Sequence, residues 1–196
     1  MVILLTISLI CFILSIFIFF FEIYIFKNAP FLEDTEFIRR IETSLTIIIP
    51  CFNEEINIVN CLTALSKINN PCLNYKIIIV DDCSTDKTFL NAQNCKKELF
   101  NNSENINIIS AGPRPKDKNW VGKNWACFKA AEKANSEWLL FLDADVVVEE
   151  KCIFNALNKS YKENIDLLSL APKVNCNCLA EWIVQPIMTS LLMIGF

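Results

Sequence analysis

Four short apolar segments, separated by stretches of helical periodicity, constrain the fold more than any other feature of this chain. The segments 45–50, 75–80, 106–110 and 138–142 are rich in isoleucine, leucine and valine. Continuous apolar runs of this length are typical of strands buried on both faces, as in parallel sheets. Strands that alternate with helices indicate an α/β protein. We therefore predict a mostly parallel, doubly wound sheet within residues 45–180.

Acidic and amide side chains follow three of these four segments. They are Asn53 and Glu54, Asp81 and Asp82, and Asp143 and Asp145. The carboxyl ends of parallel strands meet at one edge of the sheet, which is where ligands bind in doubly wound proteins. Carboxylates gathered there repel one another unless a cation or hydrogen-bond donors lie among them. The sequence therefore predicts a cation-containing ligand site at this edge.

Asp143 and Asp145 are the strongest candidates for cation ligands. Side chains two positions apart on a strand point the same way, so both carboxylates could converge on one ion. A divalent cation bound by oxygen ligands would keep open positions for substrate phosphates. Lys123, which follows Gly122 in a polar segment, supplies a candidate positive group, and carboxylates, a divalent ion and a lysine together suit a diphosphate ligand. The alternative interpretation of the two aspartates is a strand end with an Asx-type turn.

The loops after the first two strands are expected to start helices. Asn53 is a candidate helix cap, with acidic residues in the first turn as the helix dipole favours. Ser84 and Thr85 are candidates for capping the next helix. We interpret Asp86 as a turn-forming residue and Glu55 as a solvated first-turn residue.

The composition excludes several kinds of site. The chain has no histidine, which excludes Ser-His-Asp and Cys-His catalysis and histidine-containing zinc sites. Its net charge is -4 without a basic tract, which argues against nucleic-acid binding. The ten cysteines include no CxxC pair, which disfavours a cysteine-only zinc site. We interpret them as reduced and mostly buried, which places the globular part in a reducing, cytoplasmic compartment.

The N-terminal run 2–21 is uncharged and apolar. As a helix it is long enough to cross about 30 Å of hydrocarbon. It lacks the basic start and small-residue cleavage site of a secretory signal, so we predict a retained transmembrane anchor at 1–26. Lys27 and two arginines follow the run, which favours a cytoplasmic globular domain. Residues 27–44 are then a juxtamembrane linker, and the alternative is a very hydrophobic core helix.

Three segments, in this order and spacing, resemble the family 2 glycosyltransferases, which have the Rossmann-like GT-A fold that binds nucleotide-diphospho-sugars. The segments are 50–55 (PCFNEE), 80–86 (VDDCSTD) and 143–145 (DAD). The stretch 112–126 resembles the membrane-bound branch that includes the hopene-associated and ceramide-type glucosyltransferases. The resemblance implies a hexosyltransferase that moves a sugar from a nucleotide-diphospho-sugar, a UDP-sugar, to a lipid-like acceptor hydroxyl. It also implies Mg²⁺ or Mn²⁺ as cofactor.

The resemblance also assigns roles to individual residues. It places these residues around the nucleotide-sugar: Pro50, Cys51, Asn53, Glu54, Asp81, Asp82, Lys123 and Asp143. Within this set Asp82 would recognise the base or ribose, while Asp81 has the alternative role of stabilising a turn. Asp143 and Asp145 would hold the cation on the diphosphate, with Asp145 as the direct ligand.

Two motifs of the family have no counterpart in this sequence. These are a third acidic motif, whose aspartate is the general base, and a later Gln/Arg-x-x-Arg-Trp motif. Glu181 is the nearest substitute for the base. We therefore expect a truncated enzyme that retains the donor-binding half, with 181–196 as the start of an interfacial or membrane-associated helix. The alternatives are a catalytically inactive module that binds nucleotide-sugar and metal, and a nucleotidyltransferase of similar topology, which would need a glycine-rich basic loop near 50–55.

Overall fold

The computed structural model contains two compact units. One comprises residues 32–169 and the other combines 1–31 with 170–196. The residues that the structure describes are 2–28, 31–36, 40–69, 71–115 and 119–171, with single residues and short stretches between 173 and 188. The predicted interfacial segment 181–196 lies mostly outside the described residues.

The sheet of the 32–169 unit is parallel throughout its described pairings. Its strands are β1 Ile41–Cys51, β2 Cys72–Asp81, β3 Ile106–Ser110 and β4 Trp138–Phe141. Their order in the sheet is β3-β2-β1-β4, and β1 pairs in parallel with both β2 and β4. The direction of winding reverses between β1 and β4, and ligands of doubly wound sheets bind beside such a reversal. The predicted parallel α/β architecture is confirmed.

Helices cover both faces of this sheet. They are α2 Asn57–Ser66, α3 Thr88–Phe100, α4 Gly122–Ala131 and α5 Cys152–Glu163. Ile47 and Ile49 are buried in one apolar cluster with residues of α2, α3 and α5, whereas Ile48 is buried in a second cluster with residues of α4. Each such fully buried side chain stabilises the fold by about 1.5–3 kcal/mol. Successive side chains of β1 thus alternate between two buried faces, which explains why its sequence is continuously apolar.

The first strand begins earlier than predicted. β1 starts at Ile41, so the predicted boundary between linker and domain, at 44/45, lies inside the strand. The preceding segment also contacts the domain: the Thr35 hydroxyl donates a hydrogen bond to Asn155 Oδ1 at 2.7 Å. Lys151 Nζ lies 3.2 Å from Asp34 Oδ2. Residues 34 and 35 are therefore attached to the start of α5.

The N-terminal helix α1 spans Val2–Asn28. Among the residues that the structure describes, no helix is identified as long and apolar enough to span a membrane.

Candidate functional site

The segments that follow β1, β2 and β4 lie at the same edge of the sheet. Cys51 pairs with Asp81 at the ends of their strands, and the Asp82 N–H donates to the Cys51 carbonyl at 2.9 Å. On the other side of β1, the Leu142 N–H donates to the Ile48 carbonyl at 2.9 Å. The three acidic segments singled out in the sequence are therefore brought to neighbouring strand ends.

The loops after β1 and β2 are joined by side-chain hydrogen bonds. Asn53, whose φ is 55°, donates its N–H to Ser84 Oγ at 3.0 Å and accepts the Thr85 N–H at Oδ1 at 2.8 Å. The Glu54 N–H donates to Thr88 Oγ1 at 2.7 Å. The capping predictions for Asn53, Ser84 and Thr85 are therefore wrong, since these residues bind one another instead of starting helices.

Asp86 is the residue that organises the start of α3. Its Oδ1 accepts the Thr88 N–H at 2.9 Å, and its Oδ2 accepts the Glu55 N–H at 3.2 Å. Partial desolvation acts to raise the pKa of Asp86, but the hydrogen bonds from Thr88 and Glu55 outweigh it and hold that pKa below its ordinary value. The turn-forming role predicted for Asp86 is confirmed.

Glu55 also belongs to this loop network. Its carboxylate accepts the Lys87 N–H at 3.3 Å, and its carbonyl accepts from the Asn91 amide at 2.8 Å. The prediction of a merely solvated Glu55 is wrong, because its carboxylate contacts the loop after β2 and its carbonyl contacts α3.

Pro50 and Cys51 are buried in the last two positions of β1. Proline is unusual in a central strand because it lacks the N–H that a ladder needs. Here β4 has already ended opposite Ile48, so Pro50 lies beyond the part of β1 that is paired on both sides. The Cys51 thiol donates a hydrogen bond to the Val80 carbonyl. Burial, and to a smaller extent the nearby charge of Asp81, raises the pKa of this thiol to about 12. The Cys51 side chain therefore packs in the core, and its place beside the nucleotide-sugar stays a prediction.

Asp81 is buried with only one of its oxygens satisfied. Oδ2 accepts the Ser84 N–H at 3.2 Å, which agrees with the turn-stabilising role. Oδ1 is buried and has no hydrogen-bond partner among the described residues. Buried polar atoms without a partner are rare in folded proteins. Asp81 therefore keeps one free acceptor beside the site.

Asp82 is held in an ion pair that the sequence did not reveal. Arg114 Nη2 lies 2.7 Å from Asp82 Oδ2, and the Asp82 side chain is only 8% exposed. A Cβ at Gly122 would come within 2.3 Å of Asp82 Oδ2 and 2.6 Å of Arg114 Nη2. Glycine at the start of α4 thus leaves the space that this ion pair occupies. The sequence does carry one signal for a residue such as Arg114. Several carboxylates are predicted to meet at the strand ends, so a positively charged side chain from a nearby loop is expected to compensate them.

Lys123 and Asp143 form a second ion pair. Lys123 Nζ lies 2.6 Å from Asp143 Oδ1, and their side chains are 58% and 49% exposed. Leu142 and Ala144 are buried whereas Asp143 and Asp145 are exposed, so the two carboxylates lie on the solvent side of the segment.

The chemistry of these two carboxylates fits a divalent cation shared with a ligand. Within the described part of the chain, no group of three or more histidine, cysteine, aspartate or glutamate residues could hold a metal ion. Mg²⁺ is commonly held by one or two carboxylates plus substrate phosphates rather than by the protein alone. Asp143 and Asp145 supply that kind of oxygen donor set.

Comparisons with known proteins agree with this architecture. The glycosyl transferase family 2 model matches residues 46–190. The 4,4'-diaponeurosporenoate glycosyltransferase of Staphylococcus haemolyticus is 29% identical over 153 residues, which cover 76% of this chain and 38% of that protein. The poly(ribitol-phosphate) beta-N-acetylglucosaminyltransferase TarS of Staphylococcus aureus is 26% identical over 129 residues, covering 65% of this chain and 21% of TarS. The chain therefore spans well under half the length of these relatives.

A solved structure shows the same fold. The mannosyltransferase PcManGT from Pyrobaculum calidifontis, in complex with GDP-Man and Mn²⁺, matches with a TM-score of 0.51 at 18% identity. The match covers 73% of this chain and 39% of that one. Because the family match extends over more than half of the chain, this protein belongs to glycosyl transferase family 2.

Proposed function

We propose that this chain is the donor-binding part of a hexosyltransferase that moves a sugar from a UDP-sugar to the hydroxyl of a lipid-like acceptor. The observation that carries this proposal is the meeting of three acidic strand ends at one edge of a parallel sheet, in a member of a glycosyltransferase family. A nucleotide-diphospho-sugar combines hydrogen-bond donors on its nucleoside with a diphosphate that binds cations. Both parts match the carboxylates at this edge.

Each acidic segment has its own part in donor binding. The free Oδ1 of Asp81 is a buried acceptor for a hydroxyl or N–H of the nucleoside, while the ion pair with Arg114 holds the Asp82 side chain in place. Asp143 and Asp145 would hold the divalent cation, and the mannosyltransferase neighbour, which is in complex with both GDP-Man and Mn²⁺, supports a cation beside the donor. When bound, such an ion supplies positive charge that stabilises the departing nucleoside diphosphate.

The acceptor class rests on two observations. A relative carries the name 4,4'-diaponeurosporenoate glycosyltransferase, which supports a lipid-like acceptor. Phe52 follows β1 directly and Val121 precedes α4, and these side chains are 54% and 66% exposed. Apolar side chains exposed beside the ends of the strands suit an acceptor that is itself largely apolar.

We further propose that α1 anchors the chain in a membrane, with the 32–169 unit on the cytoplasmic side, as in the membrane-bound branch of the family. Since no span is identified among the described residues, this proposal rests on the sequence. Residues 2–21 carry no charge, and a helix of 27 residues is about 40 Å long. Lys27 at the end of α1 agrees with a cytoplasmic location of the 32–169 unit.

Calorimetric titration of the full chain in detergent with UDP, with and without Mn²⁺, tests the donor site. We expect Mn²⁺-dependent binding of UDP that Asp145→Asn weakens by at least about tenfold, since a cation ligand is lost. Asp166→Asn, a change of an exposed aspartate beyond the end of α5, is the matched control and should bind UDP as the unchanged chain does. UDP binding that neither Mn²⁺ nor Asp145→Asn changes would contradict the proposed cation site.

An assay of turnover distinguishes a transferase from the alternative function, an inactive module that binds nucleotide-sugar and metal. Release of UDP from a UDP-sugar in the presence of a lipid-like alcohol would support the transferase. Metal-dependent UDP binding without any such release would support the inactive module.

A further inference from the structure

Among the described residues, the two basic side chains that form ion pairs at the site come from the same stretch of chain, between β3 and the first turn of α4. Arg114 pairs with Asp82, and Lys123 pairs with Asp143. The Trp125 indole N–H donates to the carbonyls of Ala111 at 3.0 Å and Gly112 at 3.2 Å, which ties the start of this stretch to α4. One connection therefore delivers a positive charge to each of two strand ends.

The two ion pairs differ in their accessibility. Arg114 is 47% exposed, but the Asp82 carboxylate that it contacts is only 8% exposed, and a Cβ at Gly122 would overlap both side chains. Lys123 and Asp143 are instead 58% and 49% exposed. Exposed ion pairs contribute little free energy because water and salt screen them, whereas sheltered pairs are screened much less. The Arg114 pair is thus a fixed part of the fold, and the Lys123 pair can exchange its partner.

We propose that Lys123 is the counter-ion that a divalent cation displaces from Asp143, and that the released ammonium group then binds the diphosphate of the donor. This inference rests on the proposed function, which assigns the cation to Asp143 and Asp145. Asp143 Oδ1 cannot hold an ammonium group at 2.6 Å and a divalent ion together, because the two positive charges repel each other. Asp145 has no side-chain partner among the described residues, so it is open to the ion from the start.

The displacement couples two binding events through one side chain. Before the ion binds, Lys123 compensates the charge of Asp143 and competes with the ion. After the ion binds, Lys123 is free to neutralise phosphate oxygens on the same ligand. Lys123 should therefore weaken the binding of the cation alone and strengthen the binding of nucleotide to the cation-loaded chain.

Mn²⁺ binding to the full chain without nucleotide, measured by the loss of the free-ion signal in electron paramagnetic resonance, tests the first half. Lys123→Met should raise the affinity for Mn²⁺ by about fivefold, the factor expected for removal of an exposed ion pair. The same variant, saturated with Mn²⁺, should bind UDP about fivefold more weakly in calorimetry. Lys133→Met, at an exposed lysine just beyond α4, should change neither affinity.

A second substitution shows whether the effect acts through Asp143. In an Asp143→Asn background, Lys123→Met should leave the Mn²⁺ affinity unchanged, because the pair is already broken. Unchanged or weakened Mn²⁺ binding in Lys123→Met, while Asp145→Asn does weaken it, would overturn this inference and leave the proposed function intact. Mn²⁺ binding that responds to neither Lys123→Met nor Asp145→Asn would overturn both.

Discussion

Cys83 is held in a backbone conformation that suits glycine better. Its φ is 63°, in the left-handed region where a Cβ costs about 1–2 kcal/mol. Cys83 is exposed and lies between Asp82, which pairs with Arg114, and Ser84, which binds Asn53. The loop contacts on both sides therefore impose the conformation on Cys83.

Replacement of Cys83 by glycine should stabilise the protein. We expect Cys83→Gly to raise the free energy of unfolding by up to about 1 kcal/mol, since relief of the Cβ strain exceeds the added freedom of the unfolded chain. Urea unfolding measures this as a higher midpoint with an unchanged slope. Asn101, with φ 50°, is the comparison: asparagine tolerates this region, so Asn101→Gly should gain less. A lower midpoint for Cys83→Gly would refute the strain argument.

Gly122 shows the opposite situation, in which a missing side chain makes room for a charge pair. We expect Gly122→Ala to lower the free energy of unfolding by about 1–3 kcal/mol, because its Cβ would overlap the Asp82–Arg114 pair. UDP binding should weaken in the same variant. Urea unfolding and calorimetry measure the two effects. Gly112→Ala is the control for backbone strain alone, since its φ is 69° but, its chain neighbours aside, no atom of the described residues lies within 4 Å of the added Cβ. Full retention of UDP binding by Gly122→Ala would show that the pair does not support the site.

At the scale of elements, the two loops after β1 and β2 behave as one unit. Asn53, Glu54 and Glu55 of the first loop each contact the second, at Thr85, Thr88 and Asp86 respectively. The loops carry the predicted nucleotide-binding residues, so their mutual hydrogen bonds fix those residues before any ligand arrives. Such pre-organisation lowers the entropy cost of binding.

The pH dependence of stability should report this loop unit. The pKa of Asp86 is lower in the folded chain than in the unfolded chain, so its contribution is present above the ordinary aspartate pKa of about 4 and is lost as the pH falls through the folded value. Asp86→Asn should therefore lower the urea midpoint at pH 7 and have a much smaller effect at pH 3. Asp166→Asn corrects for the loss of one exposed carboxylate. An equal effect of Asp86→Asn at both pH values would show that the ionised form of Asp86 contributes no stability.

At the scale of the whole molecule, the 32–169 unit combines a sheet packed on both faces with an edge whose carboxylates are not all paired within the protein. Apolar clusters on both faces hold β1 and β2 in place, so the strand ends are fixed by the core. At that edge Asp82 is already paired, Asp143 is paired in an exposed and exchangeable way, and Asp145 has no side-chain partner among the described residues. The core thus places the carboxylates, and Arg114 and Lys123 compensate two of them, Asp82 and Asp143.

The sequence by itself determined the parallel α/β sheet, its four strands and the edge that carries the acidic residues. These features follow from local apolar patterns and from the geometry of parallel sheets, so they need no knowledge of distant contacts. The turn-forming role of Asp86 was equally local, because its partner Thr88 is two residues away.

Only the tertiary structure decided how the polar residues pair. Arg114 reaches Asp82 and Asn53 reaches Thr85 across 32 residues of sequence each, and no spacing rule specifies such partners. Whether a side chain near a strand end faces ligand or core also depends on packing against other elements, and Cys51 is buried in the same apolar cluster as Ile47 and Ile49. The partners of polar side chains, and the burial of side chains near strand ends, depend on distances of a few ångströms between segments that are far apart in the chain. Those distances exist only after the chain has folded.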